Sequence, residues 1–406
     1  MGTYFRYWID MIRASVKGPR TYYAWLGFLA LCMGIGGIAL AAQIEHGLAV
    51  TNMSDQVSWG VYIGNFTYLV GVAAASVLLV VPSYIYKRGD LKEVVLIGEL
   101  LAISAIIMCL AFVMVDMGHP ERALHMLPGV GRLNFPNSIL AWDVIVLSGY
   151  LVLNLHIPGY LLYKAYKAEK PRRRYYLPWV FLSIGWAVSI HTVTAFLYSG
   201  FAGRPFWNTA ILAPRFLVSA FASGPALLII AFFILKRFAA APIKESVFGY
   251  LRQVMSFALP LNFFLLGCEL FAEFYTDSMH VISAEYLFFG IDGHGMLVPY
   301  IWSGLAMNAF AMVVVLTPQL FRQRWLLVLA SAFCVVGVWV EKGMGLLIPG
   351  FVPSPAGDLV EYAPSPVEIG VSIGIWALGL AIFTVFTKVA LSIKSGETRM
   401  RSATDG

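Results

Sequence analysis

Between Asp116 and Asp143 the chain reads DMGHPERALHMLPGVGRLNFPNSILAWD. Two histidines, two arginines, two aspartates and a glutamate crowd into this connection, in a chain of which only 12% is charged. Ionisable groups beside hydrocarbon cost on the order of several kcal/mol unless paired or put to work. Histidine, here His119, is the side chain suited to proton exchange near neutral pH, and Asp143 stands about one turn inside the following apolar segment. Together they form a candidate acid–base pair, with Arg122 or Glu121 to orient it and Asp116 at the head of the stretch. Such a pair suits a reaction that trades protons with water beside an apolar pocket. The plainer reading of GHPER is a helix start at Pro120 with Glu121 in its first turn.

The elements that position this stretch are membrane spans. The 406 residues are 59% hydrophobic with a mean hydropathy of +0.77, more apolar surface than one soluble core could hide. Ten runs of the length a helix needs to cross hydrocarbon are expected at Tyr22–Gln43, Gly60–Tyr84, Val94–Val115, Ser138–Tyr163, Tyr176–Ser199, Pro214–Leu235, Phe248–Ala272, Met296–Thr317, Trp325–Ile348 and Val367–Leu391. The chain therefore reads as an all-α integral membrane protein. Residues 1–21 form an interfacial segment anchored by Tyr4, Tyr7 and Trp8, 22–391 the polytopic domain and 392–406 a tail. No small-residue cleavage site marks a removed signal. Ten crossings put both termini on one side, and that side collects 23 of the 28 lysines and arginines, so both are expected to be cytoplasmic. The basic charge thus reports topology and anionic membrane lipid rather than nucleic acid.

Glu45, His46, Asp116, His119, Arg122, Asp143, Arg215, Glu269, Glu273, His294 and Glu341 fall at or near the expected outer boundary. Glu99 is the one clear acid on the inner half, with an interhelical contact or a proton path as its two readings. The loop after the seventh span adds Asp277, His280, Asp292 and His294, without lysine or arginine. Spans two to five and six to nine each make four crossings starting from outside, and each set carries an acid in its second helix, Glu99 and Glu269. Two four-helix bundles plus two flanking helices are expected. Gly34, Gly36 and Gly37 would let a neighbour approach the first span closely, and Asn65 should bond between helices. Cys32, Cys109, Cys268 and Cys334 lie in separate apolar spans, too scattered for an iron–sulfur cluster. His156 and His191 sit at different depths, which argues against a haem held between two helices.

A quinone site fits this inventory, because two electrons there travel with two protons. It needs a hydrogen-bonding His or Tyr, an acid in touch with water, and apolar walls. DMGHPER at 116–122, followed by N-x-x-N-S-x-L-x-W-D at 134–143, resembles the NrfD type of polysulfide reductase membrane anchor. So do G-x-Y-I-G-N-F-x-Y-L-V-G at 60–71 and GVWVEK at 337–342. Ten spans rather than eight resemble most the DsrP-type branch of sulfite-reduction-associated complexes. The resemblance implies a membrane subunit of a respiratory oxidoreductase in the inner (cytoplasmic) membrane, exchanging electrons between menaquinone and an external ferredoxin-like iron–sulfur subunit. It carries no haem or cluster of its own, and a multihaem cytochrome c and other membrane subunits are its further partners. On that likeness His119 and Asp143 would handle quinone and protons, with Arg122, Asp116, Glu45, His46 and Glu269 around the cofactor and Glu99 on a proton path. A secondary transporter and a purely structural anchor stay open as alternatives.

Overall fold

In the computed structural model the described residues are 2–127, 129–276 and 281–400, so Asp277, His280 and the tail beyond 400 lie outside them. A short helix α1 (Gly2–Val16) precedes α2 (Arg20–His46). The chain then forms α3 (Val61–Ala74, continued in short turns to Ile85), α4 (Val95–Asp116), α5 (Ile139–Tyr166), α6 (Leu177–Ser199) and α7 (Leu212–Phe238). After α8 (Glu245–Thr276) come a short α9 (Val281–Phe288), α10 (Val298–Leu316), α11 (Arg324–Lys342) and α12 (Pro366–Ser395). Ten of these are long and apolar enough to span a membrane, as the hydropathy of the sequence requires.

The neighbours define two closed rings. α3 packs on α4, α4 on α5, α5 on α6, and α6 back on α3; α7, α8, α10 and α11 close a second ring in the same way. α3 and α6 meet α7 along the seam, and α3 also meets α11. α12 lies against α3, α4 and α5, and α2 lies on α12. The expected two bundles with two flanking helices are thus what forms. The α2–α12 contact depends on glycine: a Cβ on Gly36 would run into the backbone of Gly374, and one on Gly374 into Gly36. Such small-residue contacts replace the hydrophobic drive that lipid removes.

The face carrying both termini is called inner below. There Tyr7 and Met11 of α1 pack with Leu96, Leu100, Tyr166 and Ile393, and Tyr166 Oη donates to Asp10 at 2.8 Å. Asn65 bonds between helices as expected, its Oδ1 accepting from Trp339 Nε1 and Trp376 Nε1, each at 3.0 Å.

One boundary differs. The ninth span was expected to run to Ile348, and the apolar span does continue to Phe351, but helix α11 breaks at Gly343 and residues 344–351 follow as a short helical turn and a 3-10 turn that form a buried plug at the outer face. Trp207 Nε1 donates to Leu346 O at 2.9 Å, and its ring occupies the space a Cβ on Gly350 would need. Ser283 Oγ and Arg204 donate to the carbonyls of Val352 and Phe351. A broken helix at this depth is tolerated because protein, not lipid, surrounds it.

Candidate functional site

Asp143 enters the first bundle from the start of α5, where Ser138 Oγ accepts from the Ala141 amide and fixes the first turn. It is buried, and Thr194 Oγ1 of α6 donates to its Oδ1 at 3.1 Å. The same hydroxyl lies 2.8 Å from Ile190 O, so its single hydrogen is divided between two acceptors. A carboxyl buried with so little support is left short of hydrogen-bond donors.

His119 is not bonded to Asp143. It sits exposed on the turn Pro120–Met126, with Nδ1 2.9 Å from Glu121 Oε1. Glu121's own backbone amide, and then His119, hold the Glu121 carboxyl below its ordinary range. The structure therefore separates the expected acid–base pair into one surface member and one buried member. Arg122, Glu45 and His46 are exposed as well, and His46 Nδ1 donates within its own helix to Ala42 O at 3.0 Å.

Asp116 closes α4 at the same end. Its Oδ1 is buried without a hydrogen-bond partner, and both Asp116 and Asp143 lie within electrostatic reach of Tyr198 on α6. Beside it Tyr62 Oη donates to Gln43 Oε1 at 2.6 Å, and Gln43 Nε2 donates to Val115 O at 2.6 Å, which ties α2, α3 and α4 together. Around this end Leu124, Leu127, Val130, Phe135 and Trp142 are exposed, an apolar rim next to the two carboxyls.

Glu368 completes this end of the molecule. Ser365 and Glu368 cap α12 reciprocally, and Glu368 also receives Asn52 N at 2.9 Å and the hydroxyl of Tyr362. The same Tyr362 oxygen accepts from Val61 N, tying the starts of α3 and α12. The S-x-x-E spacing of residues 365–368 is the sequence signal for such a cap.

Glu269 belongs to a different centre, inside the second bundle. Arg215 of α7 pairs with Glu269 of α8 and, at 3.2 Å, with Glu341 of α11. Asn262 Nδ2 donates to Glu341 Oε2 at 3.0 Å and Asn308 Nδ2 at 3.2 Å. Arg215, Glu269, Glu273, Glu341 and Lys342 are all 3–6% exposed. They lie near the ends of their helices, as expected, but converge from three helices into the bundle interior, which hydropathy along one helix cannot reveal. Glu99 stands on the inner half of α4, 2% exposed, with Oε2 unpartnered and Lys394, Tyr84 and Tyr150 within electrostatic reach. Among the described residues no three His, Cys, Asp or Glu side chains are grouped to hold a metal ion, and the four cysteines are unpaired.

Residues 49–353, three-quarters of the chain, match the family described as "Polysulphide reductase, NrfD". The chain belongs to the NrfD family. NrfD relatives match along nearly their whole length. A putative membrane subunit of dimethyl sulfoxide reductase from Halobacterium salinarum is 26% identical, covering 88% of each chain. A subunit of selenate reductase from Mesobacillus selenatarsenatis is 24% identical over 90% of this chain and 92% of its own. An Hdr-like menaquinol oxidoreductase integral membrane subunit of Archaeoglobus fulgidus is 24% identical over 91% and 93%. The NrfD match spans both bundles and the plug, so Asp116, Asp143, the Arg215 centre and the seam between them all fall inside it, whereas Glu368 falls outside.

Proposed function

We propose that this NrfD-family protein is the quinone-reactive membrane subunit of a respiratory oxidoreductase. The observation that carries the reading is the pair of carboxyls at the outer end of the first bundle, buried Asp143 with one shared donor and half-buried Asp116 with a buried, unpartnered oxygen, next to a loop of exposed apolar side chains. An isoprenoid quinone fits such a place. Its head group needs hydrogen-bonding partners that change protonation, and its tail needs apolar surface. When bound it supplies two-electron chemistry coupled to two protons.

Asp143 and Asp116 take up or release those protons. Thr194 fixes the orientation of Asp143. His119 and Glu121, both in water, pass protons to the outer solvent, and Arg122 adds positive charge at the mouth. Glu45 and His46 flank the site from the end of α2, whereas Glu269 is held by Arg215 in the second bundle and acts on the quinone only through the seam. Glu99 with Lys394 provides the inner-side acid of a proton path.

Menaquinone is the favoured quinone, since one relative bears the name of a menaquinol oxidoreductase subunit. The relatives' names as reductase subunits support extrinsic redox partners, among them a ferredoxin-like iron–sulfur subunit and a multihaem cytochrome c docked at the outer face. The lysine and arginine distribution supports both termini inside, in keeping with a place in the cytoplasmic membrane. A DsrP-type role in sulfur respiration rests on ten helices and motif likeness.

The test is purification of the assembled complex, quinone extraction, and quinol turnover in Asp143→Asn. We expect bound quinone in the wild type and a loss of at least about 10²-fold in turnover in the variant, the scale of one removed acid–base group. Undiminished turnover removes Asp143 from the mechanism. A quinone-free, redox-silent protein that moves a solute points to a transporter instead.

A further inference from the structure

Along the seam between the bundles lies a cavity that the site above does not use. Thr67, Tyr68 and Gly71 of α3, His191 of α6, Ser219 of α7 and Lys342 of α11 are among its walls. Three of these residues bury a polar atom without a partner: Tyr68 Oη, His191 Nε2 and Lys342 Nζ. Each side chain is at least nine-tenths buried.

The chemistry of the three atoms is complementary. His191 Nδ1 lies 3.3 Å from Ala187 O, so the ring hydrogen belongs on Nδ1 and Nε2 is a bare acceptor. The Lys342 ammonium only donates, and its Nζ lies over the Phe216 ring, 5.6 Å from the centroid. Tyr68 Oη is free to donate. The hydroxyls of Ser219 and Ser223 already donate to Phe216 O and Ser219 O, leaving lone pairs toward the cavity. The free space is about 10 Å³, the room of one water molecule and far less than a quinone head requires. A water accepts from lysine and tyrosine while donating to histidine. An anion would face the lone pair of His191, and a metal cation would face the ammonium of Lys342.

The two nitrogens also stand at the edges of the two acidic centres. His191 is one turn before Thr194, the donor to Asp143, and Lys342 follows Glu341, the partner of Arg215. We propose that this cavity holds one bound water joining His191 to Lys342, and that the join passes protons between the first and second bundles. In that step an N–H bond of the Lys342 ammonium breaks as a new O–H bond forms on the water. An O–H bond of the same water breaks as N–H forms at His191 Nε2. One positive charge moves from Lys342 to His191, the water is regenerated, and nothing is oxidised or reduced. The proposal rests on the quinone reading for the source of protons, and not for the water.

Two measurements on the intact complex test it. In a cryo-EM map that resolves waters, we expect density within about 3.2 Å of both His191 Nε2 and Lys342 Nζ. A dry cavity, or side chains that close it, overturns the proposal. In proteoliposomes we expect His191→Gln, which keeps an acceptor but carries no proton, to keep the water and its quinol electron transfer while protons moved per electron fall by about half or more. Lys342→Met should do the same with the water lost. An unchanged ratio in both variants overturns the transfer step. A wild-type complex that turns over without quinone sinks the function proposed above and the transfer step with it, and the water density then separates that failure from a wrong cavity.

Discussion

Each four-helix bundle buries carboxyls, and Asp143 in the first and Glu341 in the second are supported in opposite ways. In the first, Asp143 has one divided hydroxyl, and Asp116 and Glu99 each keep an oxygen without a partner. In the second, Glu341 alone accepts from Arg215, Asn262 and Asn308, and Arg215 also clamps Glu269. A buried charge with a cation and several donors is fixed as a charge; a buried acid with few donors changes state at low cost. The Asp143 end is built for protons to come and go and the Arg215–Glu341 pair to hold its charge still, while Glu269 Oε1 and Glu273 Oε2 beside that pair are left without partners like the acids of the first bundle.

The largest break in that comparison is Arg215→Leu. It leaves two buried carboxylates without their cation, a loss of about 3–5 kcal/mol, and should abolish recovery of folded protein in a fluorescence-detected size-exclusion assay. Replacing Glu269 and Glu341 by leucine in the same chain should restore a monodisperse peak. If Arg215→Leu alone is as stable as wild type, the second bundle does not depend on its ion pairs.

Asp143→Asn should behave in the opposite sense, losing turnover while the melting temperature stays near wild type, because amide and carboxyl have the same shape. Next in size is Glu99→Gln. The membrane potential generated per electron should fall several-fold in vesicles, with stability unchanged; an equal potential would confine proton exchange to the outer side.

Glu368→Gln tests the architecture that both bundles share. It removes one of the acceptors tying Asn52, Tyr362 and Ser365, so a destabilisation of about 1–3 kcal/mol is expected by thermal melting. The smallest effect belongs to His119→Asn. The side chain is exposed and its partner Glu121 is exposed too, so the melting temperature should not move. Slower proton release at the outer face would keep His119 in the mechanism, and an unaltered rate would leave it a helix-start residue.

These contrasts also mark how far the sequence reads. The ten spans were legible because each is a long apolar run, and the two bundles because four crossings repeat from the same side. Asn65 was legible as an interhelical bond, since an amide at that depth needs partners. The Arg215 centre was not. Arg215, Glu269 and Glu341 are spread over more than a hundred residues, and each alone looks like a helix-end charge. His191 read only as an unmatched haem ligand, because Lys342, which lines the same cavity, sits on a helix of the other bundle. Glu368 carried a readable signal in S-P-V-E, yet its further ties to Asn52 and Tyr362 come from segments about 300 residues and six residues away.

The Gly36–Gly374 contact joins the first spanning helix to the last. On a ribosome adding roughly 5–20 residues per second, α2 enters the bilayer on the order of 20–70 seconds before α12 exists. During that interval its glycine face has only lipid to meet. Biogenesis of this fold therefore ends, rather than begins, with the docking of its N-terminal span, and a nascent chain stalled before residue 366 should leave α2 open to capture by other membrane helices.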